Sequence, residues 1–111
     1  MSRRLDLCAE DEVPPGTMKL CEADDELVLV TNLGGTLHAT QGVCSHEYFE
    51  LDRGFLTGES LTCALHLSRF SLDDGEALDP PAELPLAVYP VIVEGGRVLI
   101  EVPDGPLEVN R

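Results

Sequence analysis

Two short stretches carry the side chains best suited to chemistry, Cys44-Ser45-His46 and Cys63-Ala64-Leu65-His66, separated by the sixteen residues from Glu47 to Thr62. Each supplies one thiolate and one imidazole donor, and together they use two of the four cysteines and two of the three histidines. The spacing is C-x-H-x16-C-x-x-H, a set of four metal donors. A structural zinc site could take the same four, because Cys2His2 sets are common. Zinc ligands, however, usually come as a close cysteine pair and a close histidine pair, and here both pairs are mixed. No Ser-His-Asp set, paired-carboxylate motif or phosphate-binding glycine loop accompanies them, so nothing marks the chain as a catalyst by itself.

The two motifs resemble the ligand set of a Rieske [2Fe–2S] centre, in which two histidines replace two cysteines on one iron. That resemblance implies one [2Fe–2S] cluster, with Cys44 and Cys63 on the inner iron and His46 and His66 on the outer iron nearer solvent. Exchanging two thiolates for neutral imidazoles removes negative charge from the site, so an added electron meets less repulsion. The potential rises to roughly −150 to +300 mV, against about −400 mV for plant-type ferredoxins. Such a site takes one electron in and passes one electron out, with no substrate bound.

Size and charge bound the partners. A chain of 111 residues makes one domain, 1–111, with a single core. Seven Lys and Arg stand against 21 Asp and Glu, a net charge of −14. That balance argues against nucleic acid and against an anionic membrane surface, both of which need a basic face. It suits fast, transient docking onto basic patches of other proteins. No apolar stretch follows Met1-Ser2-Arg3-Arg4, and runs such as Leu27 to Val30 are too short to span a bilayer, so a soluble, cytoplasmic monomer is expected. Cys8 and Cys21 are expected as small core residues and not as a disulfide.

Short β-like segments broken by turns run through the chain, and none shows a sustained helical period. Arg3 to Ala9 alternates with Leu5, Leu7 and Ala9 on one face, and Thr17 to Cys21 begins a second strand after the turn Val13-Pro14-Pro15-Gly16. Glu22 to Glu26 is expected as a solvated acidic connection. Leu27 to Thr31 should turn through Asn32-Leu33-Gly34-Gly35 onto Thr36 to Thr40, which carries His38 as an ordinary strand histidine. Turns around Arg53 to Ser60, a strand Leu61 to Cys63 and an exit Arg69 to Leu72 give a small subdomain from about Val43 to Leu72. Asp79-Pro80-Pro81-Ala82 is a rigid loop. Ala87 to Glu94 and Arg97 to Val102 should form a last hairpin across Gly95-Gly96, with Val91, Val93, Val98 and Ile100 in the core. The expected fold class is all-β, an antiparallel sandwich with an inserted cluster-binding subdomain, which the resemblance implies is the Rieske fold.

The resemblance extends over nearly the whole chain to the Rieske-type ferredoxins of aromatic-ring-hydroxylating dioxygenases. It is carried by the length, the Gly-Gly hairpin before the first motif, the Pro-Pro loop after the second and the tail Leu84-Pro85-Leu86-Ala87-Val88-Tyr89-Pro90-Val91. It implies an electron carrier between an NAD(P)H-dependent flavoprotein reductase and a terminal oxygenase, with Pro80 and Pro81 in a loop covering one side of the cluster. Phe49 and Leu65 occupy the positions of a disulfide found in respiratory Rieske proteins, and Phe70 that of a tyrosine that donates to a ligand thiolate. Fewer donors to the sulfurs imply a low potential. Ser68 cuts the other way, standing where respiratory proteins use a serine to donate to a bridging sulfide.

Glu47, Tyr48, Phe49 and Leu67 lie next to the ligand histidines and are the expected docking contacts, with Glu47, Glu50 and Asp52 as a possible acidic ring. Two rival readings remain at this stage. A small Rieske-like subunit of a nitrite-reductase-type enzyme would purify in a stable hetero-complex, and a zinc interaction module would be colourless.

Overall fold

A proline decides the topology. Alternation alone makes Ala87 to Glu94 one strand, but Pro90 lacks the N–H that a ladder needs and divides it into two strands that join different sheets. The structure, a computed structural model, describes residues 2–45, 49–58, 60–64, 67–79 and 84–110. Its strands are β1 (Ser2–Ala9), β2 (Met18–Ala23), β3 (Glu26–Leu33), β4 (Thr36–Gln41), β5 (Phe55–Thr57), β6 (Ser60–Thr62), β7 (Arg69–Ser71), β8 (Val88–Tyr89), β9 (Val91–Glu94) and β10 (Arg97–Pro103). Single 3-10 turns cover Glu10–Glu12 and Leu51–Arg53. All the strand pairs are antiparallel, in sheets ordered β1-β10-β9, β2-β3-β4-β8 and β5-β6-β7.

β3 is the spine. Val28, Leu29, Val30 and Thr31 are all fully buried, because both faces of the strand are covered. Val28 packs with Ala39, Ile100 and Val102, and Val30 with Cys8, Cys21 and Val98, toward the β1-β10-β9 sheet. Leu29 points the other way, into a cluster with Leu51, Leu61, Phe70, Leu72, Leu86 and the two motif cysteines, Cys44 and Cys63. Strict side-chain alternation thus makes one strand the floor of the small β5-β6-β7 subdomain and half of the sandwich core.

Several expectations are corrected. The acidic connection is only two residues long: Glu22 and Ala23 continue β2, Glu26 opens β3, and Asp24 and Asp25 make the turn at φ 52° and 63°. Both φ values positive is the hairpin turn whose twist matches the strands, and aspartate is among the few side chains that tolerate it. In β1 the register slips between Asp6 and Cys8, so Cys8 and not Ala9 faces inward and is 3% exposed. Val98 and Ile100 are fully buried as expected, but Val91 is half-buried and Val93 exposed. β9 is the edge of its sheet, and Val93 lies beside the Gly95-Gly96 turn, opposite Val98.

Gly75 marks a close approach of two backbones. At φ +79° it brings its N–H and C=O to Ser71 and Leu86, and an added Cβ would stand 2.1 Å from the Leu86 carbonyl oxygen. This contact ties the end of the subdomain to the segment that leads into β8.

The difference between Val93 and Ile100 is measurable. Ile100→Ala is expected to lower unfolding free energy by about 2–5 kcal/mol through lost burial and a residual cavity. Val93→Thr should stay within about 0.5 kcal/mol in the same denaturant titration.

Candidate metal centre

The two motif cysteines are held by the same device. The Cys44 N–H donates to the carbonyl of Phe49 at 3.0 Å, and the Cys63 N–H donates to the carbonyl of Ser68 at 2.8 Å, in each case five residues on. Each bond closes the ends of a loop that leaves and re-enters the fold at a fixed gap. The first loop is supported further by the Leu51 N–H on the Gly42 carbonyl (2.9 Å) and by the bridge between Val43 and Glu50. The second rises between β6 and β7, which pair through Thr62 and Arg69.

Gly42 explains how close the first loop lies to the spine. Its N–H donates to the Leu27 carbonyl, and an added Cβ would meet Leu20 and Leu27 atoms at 2.7–2.9 Å. No larger residue fits without moving β2 or β3.

Cys44 is 4% exposed and Cys63 is 1% exposed, and neither is in a disulfide. They share one apolar cluster with Phe70 and Leu86, so the site offers two thiol groups in a dry floor. His46 and His66 lie outside the described residues, as do Glu47, Tyr48, Leu65, Pro80 and Pro81. Two buried, unbridged thiols on matching loops are what the inner half of a Rieske centre requires, and the donor set fits that group.

Around the cysteines, Ser45 and Ser68 are both buried. Ser45 Oγ donates to the carbonyl of Leu84 at 2.6 Å, joining the first motif to the chain just after residues 80–83. Asp79, on the other side of those residues, takes two contacts from the Arg69 guanidinium, at 2.6 and 3.2 Å. That guanidinium holds the Asp79 carboxyl below the usual carboxylate range. Spacing alone identified neither Ser45 nor the Arg69–Asp79 pair. The Ser45 contact joins segments 39 residues apart, and the Arg69–Asp79 pair closes a loop of ten.

Leu67 is 63% exposed and sits at φ 59°. A leucine in the left-handed region costs of order 1–2 kcal/mol, and here the residue stays mostly exposed. Phe49 is half-buried and packs against the cysteine-bearing cluster. Glu50 and Asp52 lie near the foot of the first loop, and Glu50 contacts Arg53.

Cys8 and Cys21 belong to a separate core cluster with Val13, Val30 and Val98. Burial pushes the Cys21 thiol up to about 12 and raises Cys8 as well, so both stay protonated and inert. His38 is half-buried in β4 opposite Thr31, an ordinary strand position.

Residues 3–90 match the Rieske [2Fe–2S] domain family. The biphenyl dioxygenase ferredoxin subunit of Pseudomonas sp. (strain KKS102) is 38% identical over 95 residues, covering 85% of this chain and 87% of that protein. Among solved structures, a complex of reduced oxygenase and oxidized ferredoxin in carbazole 1,9a-dioxygenase contains a chain with a TM-score of 0.81 at 28% identity, covering 87% of this chain and 91% of that one. A Mycobacterium tuberculosis protein described as an NADH-dependent nitrite reductase small subunit gives a TM-score of 0.80 at 27% identity, covering 92% and 96%.

Proposed function

The chain belongs to the Rieske [2Fe–2S] domain family, and we propose that within it the protein is the ferredoxin of a multicomponent aromatic-ring dioxygenase, taking single electrons from a flavoprotein reductase and passing them to the terminal oxygenase. The observation that carries this reading is the likeness to a dioxygenase ferredoxin subunit over most of both chains. The nitrite-reductase reading has the weaker support, 27% identity against 38%.

Cys44, His46, Cys63 and His66 would hold the cluster, which supplies a one-electron couple and no substrate-binding position. The chain's own part is to place and insulate it. Cys44 and Cys63 are buried against Leu29, Leu51, Leu61 and Phe70, which keeps water from the thiolate side. Phe70 carries no hydroxyl to donate to a sulfur, which favours the low end of the Rieske range. Oxygen chemistry belongs to the partner.

Charge suits the same role. Every described lysine and arginine pairs with an acid: Arg3 with Asp24, Arg4 with Glu94, Lys19 with Glu12, Arg53 with Glu50, Arg69 with Asp79 and Arg97 with Asp6. The remaining acids therefore set the sign of the surface, and a partner with a basic face is attracted from a distance. Leu67 then offers a small apolar contact beside the second ligand histidine, as a weak and short-lived electron-transfer interface needs.

Iron and acid-labile sulfide analysis with EPR of the dithionite-reduced protein tests the assignment. About two irons and two sulfides per chain, with the low average g-value of histidine-ligated clusters, are expected. One zinc without sulfide would overturn it, and co-purification in a stable hetero-complex would favour the nitrite-reductase-type subunit. Leu67→Asn should leave the denaturation midpoint unchanged or higher, since asparagine tolerates φ > 0. It should raise the apparent KM for reductase or oxygenase several-fold, and an unaltered KM removes Leu67 from the docking face. Ser68→Ala should lower the midpoint potential by tens of millivolts if the Ser68 hydroxyl reaches the cluster; an unchanged midpoint excludes that role.

A further inference from the structure

Gln41, the last residue of β4, is fully buried, and each polar position of its side chain is used. Nε2 donates to the carbonyls of Val43 (2.9 Å) and Asn110 (2.7 Å). Oε1 accepts from the N–H groups of Ala87 (2.7 Å) and Asn110 (3.0 Å). A primary amide has two donors and two acceptor lone pairs, so this side chain is saturated. Its backbone N–H adds a bond to the Ala87 carbonyl at 2.9 Å.

The three segments it joins converge on the first metal motif. Val43 immediately precedes Cys44. Ala87 belongs to Leu84–Ala87, whose Leu84 carbonyl takes the Ser45 hydroxyl and whose Pro85 carbonyl takes Asn110 Nδ2 at 2.9 Å. Asn110 lies in the segment after β10, which is docked upstream by buried Leu107 and by the Tyr89 hydroxyl on the Glu108 carbonyl at 2.6 Å. Burying an amide is costly unless all of it is bonded, whereas an aliphatic side chain would carry no such requirement. What the amide adds is a defined spacing between three backbones.

We propose that Gln41 and Asn110 are positioning residues for the cluster: through them the C-terminal tail clamps the backbone beside Cys44 to the Leu84–Ala87 segment, and so slows opening of the first ligand loop. The inference rests on Cys44 being a cluster ligand. Asn110 is half-buried at the far end of the clamp, so its truncation is the mild perturbation.

The test uses the iron-loaded protein. Loss of visible absorbance is followed after adding a ferrous chelator, alongside hydrogen exchange by mass spectrometry in peptides 26–33 and 84–90. Asn110→Ala and Ser45→Ala are each expected to speed iron loss ~5-fold or more, the effect of one lost hydrogen bond on a local opening. Exchange should rise in 84–90 and stay unchanged in 26–33. Unchanged iron loss, with or without faster exchange in 84–90, overturns the clamp, as does a parallel rise in both peptides. Gln41→Leu should exceed either variant, and if it does not accumulate, Asn110→Ala decides. Wild-type protein that binds no iron would overturn the ligand assignment itself; iron bound normally, with unaltered release in the variants, would overturn only the clamp.

Discussion

The cysteine amide bonded five residues ahead is the constraint on which the site depends. Made once at Cys44 and again at Cys63, it leaves each thiol at the base of a loop whose width is set by one backbone hydrogen bond. Everything beneath serves to bring those two bases together. Gly42 lets the first loop lie against β3, and the three short strands β5 to β7 carry the second. Leu29 supplies the common floor. The sandwich is rigid because its spine is covered on both faces, and the thiols inherit that rigidity without belonging to either of its sheets.

A division of labour follows between the interior and the surface. The interior around Cys44 and Cys63 is apolar, with polar groups such as Gln41 bonded to capacity. The exterior is acidic, and its cations are spent on ion pairs. Those pairs are largely solvent-exposed and add little to stability individually. Their larger effect is on the field, since paired cations leave no basic patch on the described surface to compete for acidic partners.

Much of this was legible in the sequence because the information was local. Mixed Cys–His motifs announce a metal centre by residue type and spacing, and alternation with Gly-Gly turns announces antiparallel strands. What escaped was non-local. The bulge that turns Cys8 inward depends on pairing with Val98, and Val93 is exposed because of its place at a sheet edge. The sheet change at Pro90 is visible only once β4 and β10 are seen as its two neighbours. Likewise, Gln41 reads as a polar strand end until Ala87 and Asn110 arrive from 46 and 69 residues away.

The pairing of β1 with β10 has a consequence for how the molecule is made. Ser2 lies opposite Pro103, so β1 finds its partner only after all the intervening strands have been synthesised. Meanwhile β2, β3 and β4, joined by tight hairpins, can form among themselves within microseconds. Contacts of such sequence separation are slow to close. Both Cys–His motifs are therefore synthesised before the sheet on the far side of the spine can close.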